Sequence, residues 1–393
     1  MTSPGTEAAT RDRRAALLLG LAVFAILSAL GHHTWGTVDA IRRLAVTRSI
    51  VESGTVVPPE IGPVKYAPLQ PVLMLPTYLL GRLSARVVPG ADPHQVGYRA
   101  TAFLFTPVLV SLLCVTYRRT LRGAGLPDRE IWLGLATLLF TTLLLPYSRL
   151  LFSEPLNALL VLLAASALAA LARGGEAAVP LASVSALLFL NGAVFGPLAA
   201  AQVAAGALLA RRTSGPRAAR RVLGLGTAAL AAALLAWGLY NRARYGGALR
   251  FGYEGEGFGG PLALGLSGLL VSIGRGLVIY SAPTVLALAG FLAFRKDPRW
   301  GPLKPVLVFY AAAAGAYLLL YAAWDSFEGG WCWGPRFLLP FVPVLHLAIP
   351  LLLLRARTWS AAAKAAVALP FVLGFAVNAA EDLGAWRAFE KAT

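Results

Sequence analysis

Charge is scarce in this chain. Asp, Glu, Lys and Arg make up 13% of its 393 residues, about half the share of an ordinary soluble domain, while 58% of the residues are hydrophobic. So few charges cannot coat a water-facing surface of this size, which excludes a conventional soluble enzyme. Cysteine is scarcer still. Cys114 falls in an apolar run and Cys332 in a polar interval, so neither a thiolate metal site nor a disulfide framework is expected. Acidic residues number 18 against 35 basic ones, for a net charge of +17. Gathered into one patch, that excess would suit nucleic acid. Here it is dispersed in short clusters between apolar runs, the positive-inside pattern, so no nucleic-acid partner is expected. A nucleotide loop is also lacking: Gly224-Leu225-Gly226 follows no strand and precedes no Lys-Ser/Thr pair, and its glycines suit close packing of spans.

What the chain does have is long apolar runs. A membrane span needs roughly 20 such residues, and about eleven stretches qualify: 15–31, 99–117, 131–147, 155–172, 177–191, 195–210, 222–240, 277–294, 304–323, 337–354 and 361–378. The run at 69–83 is short and carries Pro71 and Pro76, so it reads as a helix lying in the interface. With the N-terminus in the cytoplasm, 20 of the 35 basic residues and 6 of the 18 acidic ones then fall in the inner segments. The expectation is an all-α polytopic protein of the plasma (inner) membrane, a single transmembrane domain over 1–393 with no separate soluble C-terminal domain. Its outward segments are 32–98, 147–154, 241–275 and 324–336, with a short tail at 381–393. Most acidic residues face outward there, and the active site is expected with them.

The first outward segment is the longest polar interval near the start. Residues 39–53 place Ile41, Leu44, Ala45 and Val51 near helical spacing, with Arg42, Arg43 and Glu52 polar and Gly54 at the close. Asp39 stands in the first turn, where the helix dipole favours a carboxylate. Val57-Pro58-Pro59 breaks the chain, and Lys65-Tyr66-Ala67-Pro68 leads into the second surface helix, 69–83.

These residues resemble the GT-C glycosyltransferases that use a polyprenyl-phosphate sugar, among them the protein O-mannosyltransferases and the lipid A aminoarabinose transferases. The likeness rests on Asp39 heading the first surface helix, on Lys65-Tyr66-Ala67-Pro68, and on Val96-Gly97-Tyr98-Arg99 at the next span. It rests also on Tyr147 to Glu154-Pro155, and on Gly334-Pro335-Arg336-Phe337-Leu338-Leu339-Pro340 with Pro343. Many relatives carry a second acid beside the first, where this chain has Ala40. The resemblance implies a GT-C-like fold with two interfacial helices in the first outer loop. It implies transfer of a sugar from a polyprenyl-phosphate lipid donor to an envelope acceptor (protein, polysaccharide or lipid).

That chemistry assigns roles. An acceptor hydroxyl must lose a proton to a carboxylate, and Asp39 is the base candidate; its bland role is helix capping. Glu154, at the start of a span, is the second catalytic candidate, against a plain salt bridge to Arg149. The leaving phosphate needs cations: Lys65, Arg99 and Arg336, each at an outer membrane edge where snorkelling to headgroups is the alternative. Tyr66, Arg242, Arg244, Arg275 and Trp331 form a second tier of substrate contacts. Trp324, Phe327, Trp331 and Trp333 suit sugar stacking or an interfacial belt. Glu254 and Glu256, in glycine-rich 252–260, suit a lid. His32, His33 and Trp35 suit headgroup contact, and His346 a hydrogen-bonded core position. Aspartate or glutamate could bind a divalent metal, but no cluster fixes its ligands, so no cofactor is assigned and a metal-free mechanism is the default. The rival functions are a transporter or lipid flippase, which would place ionisable residues within the spans, and a non-catalytic envelope scaffold.

Overall fold

The computed structural model describes residues 4–30, 37–253, 255–294, 296–297, 300–330 and 332–380. The expectations for His32, His33, Trp35, Glu254, Trp331 and the tail at 381–393 lie outside the described residues. Every regular element among the described residues is helical. The long ones are α1 (Pro4–Leu30), α5 (Pro93–Gly123), α8 (Glu154–Ala172), α10 (Gly196–Ser214), α11 (Pro216–Tyr245), α15 (Lys304–Ala322) and α18 (Ala361–Ala380). The segment between α1 and α5 holds α2 (Val38–Ser53), α3 (Leu69–Leu73) and α4 (Leu75–Ala85). The shorter elements are α6 (Asp128–Phe140), α7 (Leu144–Tyr147), α9 (Ala178–Asn191), α12 (Leu262–Leu270), α13 (Leu277–Tyr280), α14 (Pro283–Phe294), α16 (Val342–His346) and α17 (Ile349–Ala356).

Seven helices among the described residues are long and apolar enough to cross a membrane, and eight if Arg336–His346 and Ile349–Ala356, bent by 47°, form one span. The other three expected spans are helical but short or interrupted. In 131–147 the break falls at Thr141 and Thr142, whose hydroxyls bond back to the Thr137 and Leu138 carbonyls and so compete with the helix. The 13 residues of α6 reach about 20 Å, short of a hydrocarbon core of about 30 Å. In 277–294 the break precedes Pro283, which has no N–H to donate. The stretch 177–191 becomes the 14-residue α9.

Burial sorts the helices. In α8, apolar all round as a central helix must be, 78% of the span is buried, against 22% in α1 and α11 and 11% in α18. It packs on α5, α9, α10 and the late turn beginning at Arg336. Of the two glycines expected to bring spans together, Gly226 does so: a Cβ there would meet Val203 at 2.4 Å, whereas Gly224 faces open space.

The segment between α1 and α5 is where the site is built. Thr37 caps α2 through its side chain on the Ala40 N–H, so Asp39 is left free for other partners. Gly54 closes α2 at φ 63°. The face that turns inward differs from the apolar spacing: Arg43 is buried while Ile41 is 46% exposed. The expected second helix is two, α3 and α4, parted at Met74. Pro76 lies in the first turn of α4, where its missing N–H costs nothing and where it stops α3 from running on. Thr47 Oγ1 donates to the Pro71 carbonyl at 3.0 Å, tying α2 to α3.

The 31 residues of α5 are long enough to carry the chain across a bilayer. Glu60→Cys and Asp128→Cys, both at exposed positions, should therefore react with a membrane-impermeant thiol reagent from opposite faces. The native Cys114 and Cys332 are buried and give little background. Labelling of both positions from one face would show that α5 does not separate them.

Candidate active site

One guanidinium joins two of the expected acids. Asp39 Oδ2 accepts from Arg336 Nη1 at 2.8 Å, and Arg336 Nε lies 3.7 Å from Glu154 Oε1. Asp39 Oδ1 accepts from the Tyr66 hydroxyl at 2.6 Å. Each group is delivered by the start of an element: Asp39 in the first turn of α2, Glu154 in the first turn of α8 beside Pro155, Arg336 at the head of the short 3-10 turn Arg336–Phe341. Gly334 makes that last delivery. It sits at φ 62°, and a Cβ there would meet Tyr280 and Leu143 at 2.8 Å. The Phe152 and Phe337 rings flank the guanidinium, each centroid 4.9 Å from Cζ.

A second cation completes the balance. Arg43 Nη1 lies 3.9 Å from Asp39. Its Nη2 donates to Ser153 Oγ at 3.2 Å, and its Cζ stands 4.2 Å over the Tyr66 ring. Two arginines and two carboxylates thus sit together, largely out of water. Burial pushes the Asp39 carboxyl up, but the Arg336 and Arg43 charges and the hydrogen bonds from Tyr66 and Arg336 outweigh it. Asp39 is held below its ordinary 3.8, so it is ionised at neutral pH.

Lys65 forms the rim. Its ammonium pairs with Glu256 and stands 4.7 Å from the Tyr253 ring centroid. The Tyr253 ring and the Glu256 carboxylate, carried by one loop, thus meet Lys65 together. The loop is pinned beyond Glu256, where Gly257 N–H donates to Asp325 Oδ2 and Asp325 N–H to the Gly257 carbonyl, both at 3.0 Å.

The second-tier residues divide. Tyr66 is in the cluster. Arg244 acts on backbone: it donates to the Val64 and Tyr66 carbonyls and to Asn241, under the Tyr240 and Tyr245 rings, and so fixes the segment that carries Lys65 and Tyr66. Arg275 likewise holds the late loop through the Glu328 and Gly330 carbonyls and Cys332 Sγ. Arg242 is exposed on α11. Arg99 is exposed too, beside an open apolar groove lined by Leu80, Gly81, Val96 and Phe103, and the structure does not bring it to Asp39. Glu154 faces Arg336, while Arg149 donates to the Leu30 carbonyl at 3.2 Å. Trp324 packs on Phe337, ring centroids 5.1 Å apart, and so supports the Arg336 turn. His346 is buried, with Nε2 3.0 Å from Thr137 Oγ1.

Three groups were not singled out from sequence. Arg43 had a signal, its i,i+4 spacing from Asp39. Tyr253 had none beyond its place in a glycine-rich loop. Asn157 and Asn191, which pair at 2.8 Å below Ser153, resemble ordinary buried polar residues. Among the described residues no three His, Cys, Asp or Glu gather as metal ligands; the cation between Asp39 and Glu154 here is Arg336.

Because Asp39 titrates below 3.8 in the folded protein and near 3.9 unfolded, its contribution to stability is present above that range and lost as pH falls through the folded value. The melting-temperature gap between the parent and Asp39→Asn, measured in detergent, should be flat from pH 8 to pH 5 and close only below about pH 4. A gap that closes near pH 6 would contradict the pairing.

No family model matches the chain, and no curated protein matches it. Among solved structures, the crystal structure of ArnT from Cupriavidus metallidurans bound to undecaprenyl phosphate aligns with 92% of this chain at a TM-score of 0.59 and 16% sequence identity. The chain spans 63% of the length of that ArnT chain. The described helices thus share an ArnT-like fold, and seven or eight of them are long and apolar enough to cross a membrane.

Proposed function

We propose that the chain is an integral membrane glycosyltransferase of the inner membrane. It moves a sugar from a polyprenyl-phosphate donor to an envelope acceptor on the extracytoplasmic side. The observation that carries this reading is the ionised Asp39 between Tyr66 and Arg336, at the ends of helices, in a fold shared with a protein solved with a polyprenyl phosphate. In this reading the eleven apolar stretches cross or enter the bilayer as one transmembrane domain, α2 to α4 lie at its outer surface, and the lipid tail stays among the spans.

Asp39 takes the proton from an acceptor hydroxyl, whose oxygen attacks the anomeric carbon. The bond from that carbon to the phosphate oxygen breaks, with inversion, and the polyprenyl phosphate leaves. Lys65 and Arg336 hold its growing charge. A depressed pKa keeps Asp39 ionised but weakens it as a base. Arrival of the donor phosphate draws Arg336 away and raises that basicity, because the carboxylate then keeps only the more distant Arg43 as counter-charge. Glu154 holds the other side of Arg336, and Arg244 positions Lys65 and Tyr66. Arg99, apart on its own groove, is read as a headgroup contact. Asp39, Glu154, Arg336 and Lys65 all sit at helix starts or in loops, which favours chemistry at a membrane surface over the mid-span charges of a transporter.

The test is transfer by the reconstituted full chain from radiolabelled polyprenyl-phosphate sugars to envelope acceptors. Asp39→Asn should lose at least ~100-fold, the scale of a removed general base, and Glu154→Gln should lose activity too. Full activity in Asp39→Asn would sink the base assignment. Translocation of lipid or solute without transfer would favour the transporter.

A further inference from the structure

Lys65 has its anion already. Glu256 reaches it from a loop with glycine at 252, 255, 257, 259 and 260, and the pair keeps 29% and 24% of its side-chain surface open. The contact is therefore reachable from water and weakly held. It is also connected inward. Lys65 precedes Tyr66, which bonds Asp39, and Tyr253, under the same ammonium, belongs to the loop that carries Glu256. Gly252 sits at φ 71°, where a Cβ would meet the Tyr245 hydroxyl at 2.2 Å and Lys65 at 3.2 Å. The loop thus turns sharply over Lys65 before presenting Glu256. Its far side is anchored at Asp325 and at the Ala323 carbonyl, so Glu256 can leave Lys65 without loss of the anchor.

We propose that Glu256 is a resident counter-ion of Lys65, displaced by the phosphate of the polyprenyl lipid and returning when that lipid leaves. The proposal rests on the reading of Lys65 as a donor-phosphate contact. A carboxylate in the phosphate position keeps the Lys65 ammonium neutralised between turnovers. It also opposes the lipid phosphate left after transfer, whose extra negative charge would otherwise bind Lys65 more firmly than the donor does.

The test is the affinity of the full chain in nanodiscs for a polyprenyl phosphate, for the parent, Glu256→Gln, Lys65→Ala and the double variant. Glu60→Gln, another exposed acid, serves as the control. Glu256→Gln should bind about three- to fivefold tighter, the scale of one surface ion pair. Glu60→Gln should match the parent. In the Lys65→Ala background the Glu256 change should do nothing. Unchanged or weaker binding by Glu256→Gln, or the same gain from Glu60→Gln, overturns the counter-ion while leaving the donor reading intact. No binding by the parent, or parent-like binding by Lys65→Ala, overturns both. A gain of equal size for inorganic phosphate would overturn the assignment to a lipid. Hydrogen exchange over residues 250–261 gives a second readout: the polyprenyl phosphate should speed exchange in the parent, and Glu256→Gln should exchange fast without it. Protection of that segment by the lipid would overturn displacement.

Discussion

The Arg336 guanidinium is the interaction on which the rest of the structure depends. A buried charge is costly unless it is paired and hydrogen-bonded. Arg336 is 13% exposed at its side chain, and its partners come from two distant places in the chain, Asp39 on α2 and Glu154 at the head of α8. Meeting that one requirement therefore docks the segment between α1 and α5 and the late turn onto the central helix. The rings of Phe152 and Phe337 close the sides, and the Tyr321 ring stacks on Phe337 at 4.6 Å from α15. Removing either carboxylate would leave a cation without its counter-charge, so the cluster holds together as a unit.

Around that unit the architecture grades from fixed to movable. The floor is set by the most buried helix, by Gly334 and by proline-marked helix starts, all of which leave little freedom. The rim is a glycine-rich loop held to Lys65 by one surface ion pair and to Asp325 by one side-chain and one backbone hydrogen bond. The proposed transfer at a membrane surface needs this division. Charges that stabilise a leaving phosphate work best when pre-oriented, whereas a lipid donor and its product must enter and leave.

Charges in so apolar a chain are costly, which made Asp39, Glu154, Lys65 and Arg336 legible from sequence as functional candidates. Three of them meet in one cluster and the fourth stands at its rim. Pro76 likewise marked a weak point in 69–83, although the period of the apolar residues carried no sign that it would part α3 from α4. What stayed hidden depends on tertiary contact. Arg43 looked like a solvated residue because its burial is decided by Tyr66 and Ser153, far along the chain. Arg244 looked like a ligand contact because nothing local reveals that backbone carbonyls at 64 and 66 would claim it. The breaks at Thr141 and before Pro283 fall inside runs whose hydropathy is continuous, so composition counted spans where the backbone makes shorter helices.

The central claim is that a lipid phosphate is received between Lys65 and Arg336, beside Asp39. Cryo-electron microscopy of the full chain in nanodiscs with a polyprenyl phosphate tests it most directly. The account predicts phosphate density within hydrogen-bond reach of both cations, Arg336 turned from Asp39 toward it, and Glu256 withdrawn from Lys65. Phosphate seated instead at Arg99, with the Asp39–Arg336 and Lys65–Glu256 pairs unchanged, would contradict it.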